Sequence, residues 1–140
     1  MSASVAPPAV AADELEGVWL PIAADVSGRE LEVGTLRVAR LVIAAHVYRI
    51  LDRDDHVVDT GEWRRAAHAA AQGIDLVGST GPHNGKRIEA LFELSGERLL
   101  LCYDLESSER PAGMEPVADQ LLLRITYARV ASAVLPAARA

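Results

Sequence analysis

Residues 86–104, KRIEALFELSGERLLLCYD, decide the fold of this chain. Apolar side chains recur there at every second position, and charged residues stand between many of them. A period of two is typical of a β-strand that buries one face, and Ser95-Gly96 in the middle is typical of a tight turn. The stretch therefore predicts two antiparallel strands joined as a hairpin. The alternating apolar residues are Ile88, Ala90, Phe92, Leu94, Leu99, Leu101 and Tyr103.

The segments on either side of this hairpin have strand patterns as well. Residues 36–51, LRVARLVIAAHVYRIL, are rich in β-branched side chains, which favours two strands with a bend near Ala44-Ala45. Because short turns separate the strand patterns and no long helix intervenes, we expect an antiparallel meander. The other predicted strands are 17–26, 56–65, 73–78 and 120–130, with an Ala-rich loop or short helical turn at 66–72.

The segment 81–87, GPHNGKR, has the Gly-Lys pair of a phosphate-binding loop. A Walker A loop needs four residues between its glycines, a Ser or Thr after the lysine, and a helix beyond. Here three residues separate Gly81 from Gly85, Arg87 replaces the hydroxyl, and a strand pattern follows. Asn84-Gly85 is instead typical of a hairpin, because both residues tolerate the positive φ of a tight turn. We therefore predict a turn and no nucleotide site.

The composition argues against several classes of partner. The chain has 140 residues, the size of one domain, with 14 basic and 20 acidic residues and a net charge of −6. It contains no run of Lys or Arg, so we expect neither a nucleic acid nor a membrane as partner. Its single cysteine, Cys102, excludes an internal disulfide and a thiol-rich metal site.

The two ends of the chain differ in composition from the middle. Residues 1–13 are rich in Ala, Ser and Pro and predict a disordered leader, and residues 131–140 predict a flexible tail. The domain is thus predicted to span 14–130. The N-terminus lacks the basic and apolar regions of a signal peptide, and no window has the roughly 18 apolar residues of a membrane span. We expect a cytoplasmic protein.

Several short motifs, in order along the chain, resemble a family of small bacterial domains first catalogued from planctomycetes. The resemblance covers residues 14–130 and implies an all-β fold: an antiparallel, up-and-down, lipocalin-like barrel of about eight strands with room for one small ligand. The motifs are Leu15-Glu16-Gly17-Val18-Trp19, Thr60-Gly61-Glu62-Trp63, Ile74-Asp75-Leu76, residues 81–86, Leu91-Phe92-Glu93-Leu94, residues 96–102, Arg110-Pro111 and Arg129.

The chain departs from the family pattern at two points. It has no export signal of the kind that many members carry, which argues against a periplasmic role. Met114 and Glu115 follow Arg110-Pro111 where an aromatic residue is more typical, and we expect this change to alter the rim of the cavity.

Gly17 and Trp19 are similar to the first-strand signature of lipocalins. A large indole can close one end of a barrel, and a nearby glycine allows close approach of the backbone. An arginine over the indole face would add a cation–π contact of about 0.5–2 kcal/mol, and Arg129 is the best candidate. We expect Trp19 to close the core rather than to form a ligand platform.

Catalytic and metal-binding motifs are missing from the sequence. The four histidines, His46, His56, His68 and His83, do not have the spacing of a metal site, and no Gly-x-Ser-x-Gly elbow is present. Cys102 lies between two residues of the inner face, so it points outward, where a free cysteine is more often a small apolar filler than a reactive thiol. We predict no metal site and no cofactor.

Strand alternation predicts which side chains share the inner face of the barrel. They would form a mostly apolar chamber with three phenols, one indole and one guanidinium. Such a chamber either fills the core or accommodates a ligand, and the sequence leaves both open. The predicted inner residues are Tyr48, Ile50, Trp63, Arg65, Ile74, Leu76, Ala90, Phe92, Leu101, Tyr103, Ile125 and Tyr127.

Arg65 is the most specific member of this set. A guanidinium inside a barrel must be paired, because its desolvation costs several kcal/mol. A carboxylate or enolate on a ligand would pair it, and so would Glu93 or Asp104 if the register were shifted by one residue.

Three functions follow from this sequence. The leading hypothesis is binding of a small hydrophobic molecule by a monomer or homodimer. Whether the protein is an enzyme stays open; the alternative is a cyclase or pericyclase of bacterial secondary metabolism that holds a reactive conformer without a covalent residue. A third hypothesis is an interaction module that uses the outer surface. The predicted ligand-binding residues are Tyr48, Trp63, Arg65, Phe92, Leu101, Tyr103, Ile125 and Tyr127; in an enzyme, Arg65, Tyr48, Tyr103 and Tyr127 would polarise the substrate.

Overall fold

The computed structural model describes residues 14–36, 38–66, 72–81, 84–106, 109–115, 117 and 120–131. The predicted leader, nearly all of the predicted tail and most of the Ala-rich loop lie outside these residues. The described part contains nine strands, and a turn of 3-10 helix spans Val33–Thr35. The strands are β1 (Gly17–Val26), β2 (Arg29–Leu31), β3 (Arg40–Ala44), β4 (Val47–Leu51), β5 (Val57–Ala66), β6 (Gln72–Thr80), β7 (Arg87–Ser95), β8 (Arg98–Asp104) and β9 (Leu122–Ala131).

The strands close into an antiparallel up-and-down barrel of eight strands. β1 pairs with β3, each strand from β3 to β9 pairs with the next, and β9 pairs back with β1. The short strand β2 lies outside this circuit and extends the second half of β1 as a hairpin. The all-β, lipocalin-like fold predicted from the sequence is therefore confirmed.

The predicted turns lie where the sequence patterns put them. β3 and β4 are separate strands, and the bend between them is at Ala45, whose φ is 54°. The segment 81–86 joins β6 to β7 as a hairpin, with left-handed backbone at Gly81 and Gly85. Asn84 does not adopt positive φ, because this connection is longer than the two-residue turn that Asn-Gly suggests.

The barrel has two ends that differ in their closing residues. At the Trp19 end, β1 begins and β3 turns into β4; at the Asp52 end, β4 turns into β5 and the chain crosses from β2 to β3. The main core cluster fills the barrel between them with large apolar side chains such as Leu41, Ile43 and Leu99.

The polar loop after β8 packs on the outside of the barrel. Its residues 109–115, which we call the strap, bury Met114 against Leu91, Cys102 and Leu122 on the outer face of β7–β9. Cys102 thus fills an outer apolar cluster, as the sequence indicated. The expectation that Met114 changes the cavity rim is wrong, because this side chain lies on the opposite face of the sheet.

The barrel wall has a seam beside β1. β3 pairs with β1 only at Gly17–Trp19, and β2 pairs with it only from Ala24 onward. On this side of β1, none of the strands in the described part pairs with residues 20–23. The crossover segment, residues 32–36 with Val38, covers the seam with side chains instead of a hydrogen-bonded strand.

Candidate functional site

The structure brings together nearly all of the predicted inner residues. Six of the eight predicted ligand-binding residues are buried in one core cluster, and Tyr103, partly buried, packs against it. The alternation argument thus assigned the correct face on β4 to β9. The six buried residues are Tyr48, Trp63, Phe92, Leu101, Ile125 and Tyr127.

Arg65 is the exception, and its predicted position in the chamber is wrong. The residue has the same strand parity as buried Trp63, but it lies one residue from the end of β5, and its side chain is exposed. Its Nη2 donates to Oε1 of Gln72 at 3.1 Å. In the enzyme hypothesis, Arg65 was expected to polarise a substrate together with the interior phenols, and this cation is not in the chamber. The reason to expect an anionic ligand in the chamber is lost as well.

Three phenols lie inside the barrel, and burial raises the pKa of each. The pKa of Tyr48 is raised to about 12 by burial and then by the nearby Asp59 carboxylate. The same two causes raise the pKa of Tyr103 to about 12. For Tyr127, burial and then Tyr103 raise the pKa further. All three side chains therefore keep their protons at neutral pH.

Asp59 is an interior residue that the sequence reasoning missed. It is 1% exposed and lies directly across from Ile50 in the β4–β5 pair. The alternation that places Trp63 inside also places Asp59 inside, so the pattern contained the signal. Gly61, between them, makes room for the ring of Tyr48: a Cβ at this position would lie 2.6 Å from the Tyr48 hydroxyl.

The Trp19 end of the barrel is closed as the sequence predicted. The indole of Trp19 is fully buried, and its Nε1 donates to the carbonyl of Leu15 at 3.0 Å. The guanidinium carbon of Arg129 lies 4.5 Å from the indole centroid, which confirms the cation–π pair. Arg129 also donates to the carbonyls of Glu14 and Glu16, so the last strand holds the segment just before β1.

A surface cleft lies at the seam near the Asp52 end. Its volume is about 520 Å³. Leu36 and Val38 line the cleft and also pack against the interior core, so they separate the cleft from the barrel interior. The walls are formed by Leu20, Pro21, Val33, Leu36 and Val38.

The other edge of the cleft is charged. Asp52, Arg53 and Asp54 of the β4–β5 turn lie there. Oδ1 of Asp52 accepts the backbone N–H groups of Asp54 and His56, and these bonds, with that of His56 first, lower the pKa of Asp52. Arg53 Nη2 donates to the carbonyl of Gly34 across the cleft at 2.9 Å. No pattern in the sequence connects this turn with residues 20–36 and 38.

The same turn contains the one group in the described residues with the donor set of a metal ion. Ligand atoms of Asp52, Asp54 and His56 lie within 4.8 Å of one another. The three side chains are exposed or partly exposed, and exposed acidic turns have such arrangements without binding a metal. His46 is also exposed, and its ring centroid lies 5.4 Å from that of Trp63 with the two ring planes tilted by 46°.

Comparison with protein-family models, with curated proteins and with solved structures gave no match for this chain. The resemblance to the planctomycete-type domains therefore stays a prediction. No helix in the described part of the chain is long and apolar enough to cross a membrane.

Proposed function

We propose that this barrel binds a small, largely apolar molecule in the cleft at the seam. One observation carries the proposal: a space of about 520 Å³ with aliphatic walls and a single charged edge. Small-molecule sites typically measure about 300–1,000 Å³ and combine apolar walls with a few placed polar groups. The cleft has that size and that composition.

The fold explains why space exists at this place. Pro21 has no N–H to offer to a neighbouring strand, and neither β2 nor β3 continues along residues 20–23. The wall is therefore built from side chains of the crossover segment, which leave a concavity that a continuous ladder would close. In the rest of the barrel circuit, each described strand pairs directly with its neighbours.

The site differs from the one expected from the sequence. Apart from Arg65, the predicted ligand-binding residues on β4 to β9 belong to the core, where Trp63, Phe92 and Tyr127 are almost fully buried. In the proposed site the ligand lies outside this core and touches it only through Leu36 and Val38. The interior phenols then contribute to the rigid support of the cleft floor rather than to ligand contacts.

A tryptophan that fills the cleft tests this proposal. We expect Val33→Trp to abolish the thermal shift and the native-mass-spectrometry adduct that apolar fragments give with the wild type, because Val33 lines the cleft. The matched control is Val77→Trp, at a half-exposed position on the outer face of β6, away from the cleft. Val77→Trp should bind the same fragments with unchanged affinity.

Two results would contradict the proposal. One is a complete lack of binding across a library of apolar fragments with one polar group each. The other is binding that Val33→Trp leaves unchanged while its circular dichroism spectrum shows a folded barrel, since the ligand would then lie elsewhere.

A further inference from the structure

We infer that the ligand of the cleft carries a protonated amine, so that its class is a small apolar amine rather than a carboxylic acid. This inference rests on the proposed function and specifies the chemistry of the same site. It is carried by the charged edge of the cleft, where two carboxylates and one guanidinium lie beside the aliphatic walls.

The guanidinium at this edge is already engaged. Arg53 Nη2 donates to the Gly34 carbonyl at 2.9 Å, which holds the side chain across the cleft toward the crossover segment. The nearest other cation of the turn region, Arg40, pairs with the carboxylate of Asp55. Arg53 has further N–H groups that could meet an anion, but the anion would then lie beside the carboxylates of Asp52 and Asp54, whereas a cation would be attracted to them.

The carboxylates are better placed for a ligand. Asp52 is oriented by two backbone N–H groups on Oδ1, and its second oxygen lies 3.6 Å from Nδ1 of His56. Asp54 lies beside it in the cleft lining and is exposed. An ammonium group would meet two carboxylates there while its apolar body contacts Leu36 and Val38, and a carboxylate in the same pose would be repelled.

The overall charge of the protein acts in the same direction. The net charge is −6, so the long-range field attracts cations and repels anions. At an exposed edge the effect on affinity is modest. We expect an amine to bind about two- to fivefold more tightly than the alcohol of the same shape, the range of exposed ion pairs.

The experiment compares three molecules with one apolar body: adamantanemethylamine, adamantanemethanol and adamantanecarboxylate. Affinities are measured by ligand-observed NMR on the wild type, on Asp54→Asn and on Asp55→Asn. Asp55→Asn is the matched control, because it removes the same charge one residue further on, at a side chain that pairs with Arg40 and does not line the cleft. Asn also tolerates the left-handed backbone of Asp55, whose φ is 65°.

The expected result is an order of affinity of amine, then alcohol, then carboxylate. Asp54→Asn should bring the amine-to-alcohol ratio close to one without changing the affinity for the alcohol, and Asp55→Asn should preserve the ratio. Added salt should weaken binding of the amine alone.

The inference is overturned if the carboxylate binds as well as the amine, or if Asp54→Asn leaves the ratio unchanged. In either case, alcohol binding that Val33→Trp removes would leave the proposed function standing. Lack of binding by all three molecules and by the wider fragment library would overturn both together.

Discussion

The three tyrosines of this chain, Tyr48, Tyr103 and Tyr127, all lie inside the barrel. Each is a phenol whose charged form is disfavoured by burial, and Asp59 adds its negative charge beside two of them. Because the chain has no other tyrosine, the ultraviolet absorbance of tyrosinate reports on the barrel interior alone.

This arrangement predicts a delayed alkaline titration. Below pH 10 both the folded and the unfolded chain hold the phenol protons; between pH 10 and about 12 the unfolded chain releases those of Tyr48 and Tyr103 while the folded chain retains them. The contribution of these tyrosines to the free energy of unfolding should therefore be constant up to pH 10 and then fall by about 1 kcal/mol per pH unit for each tyrosine. Tyrosinate absorbance should appear only as the barrel unfolds.

The control is the same titration in concentrated urea, where all three phenols should ionise near pH 10. A native protein that shows tyrosinate absorbance near pH 10, with its circular dichroism unchanged, would mean that the phenols are open to solvent.

At the scale of elements, the strap is the part of the fold held mainly by side chains. Arg110 fastens it to the outer face of the sheet: Nη2 lies 2.6 Å from Oδ1 of Asp75, and Nη1 donates to the Ala90 carbonyl at 2.9 Å. Arg124 adds a second attachment by donating to the carbonyl of Met114. The strap covers Cys102, whose pKa burial raises to about 11.

Removal of this fastening should loosen the strap. We expect Arg110→Ala to lower the free energy of unfolding by about 3 kcal/mol. Two arginines pair with the buried Asp75 carboxylate, and the substitution removes the one that is less exposed to solvent. The Cys102 thiol should then react about tenfold faster or more with an aromatic disulfide reagent, since the strap opens more often.

Arg87→Ala is the matched control. Arg87 also pairs with Asp75, at 2.9 Å, but its side chain is 60% exposed, so its loss should cost less than about 1 kcal/mol and leave the thiol protected. Equal labelling rates in both variants would show that Arg110 does not hold the strap in place.

At the scale of the whole molecule, the barrel is closed by pairing between the first and last strands. β1 and β9 pair along most of their length, and Asp25 meets Arg124 across this junction at 3.0 Å. The residues just before β1 belong to the same closure, because Leu15 is buried in the core and accepts the Trp19 indole N–H.

This closure sets the shortest chain that should fold with full stability. A chain shortened to residues 14–131 should keep the urea midpoint of the full chain, since the composition of both ends predicts disordered segments. A chain that begins at residue 17 loses Leu15 and the carbonyl partners of Arg129, and its free energy of unfolding should fall by about 2–5 kcal/mol. Equal stability of the two short chains would show that the segment before β1 does not help to close the barrel.

Alternation, together with β-branched composition at 36–51, was enough to predict eight of the nine strands in the described part, because a strand has a period of two whatever surrounds it; the short strand β2 was not predicted. It placed Tyr48, Trp63 and Tyr127 correctly inside. It failed for Arg65, since parity gives the face of a strand but not the depth within the barrel, and the last residues of a strand lie at the rim. Alternation along β5 also places Asp59 on the inner face. The search for catalytic motifs did not select this residue, because no motif includes it.

The sequence by itself indicated the all-β class, the antiparallel meander and most of its turns, because these depend on local patterns, and it named Arg129 as the candidate partner of Trp19. The tertiary structure alone decided the cleft, the seam and the attachment of the strap. These features join segments that lie far apart in the chain, such as residues 20–23, 32–38 and 52–54, and their geometry follows from barrel closure and from where each strand stops pairing. No local pattern carries that information, because it arises only when all eight strands are in register.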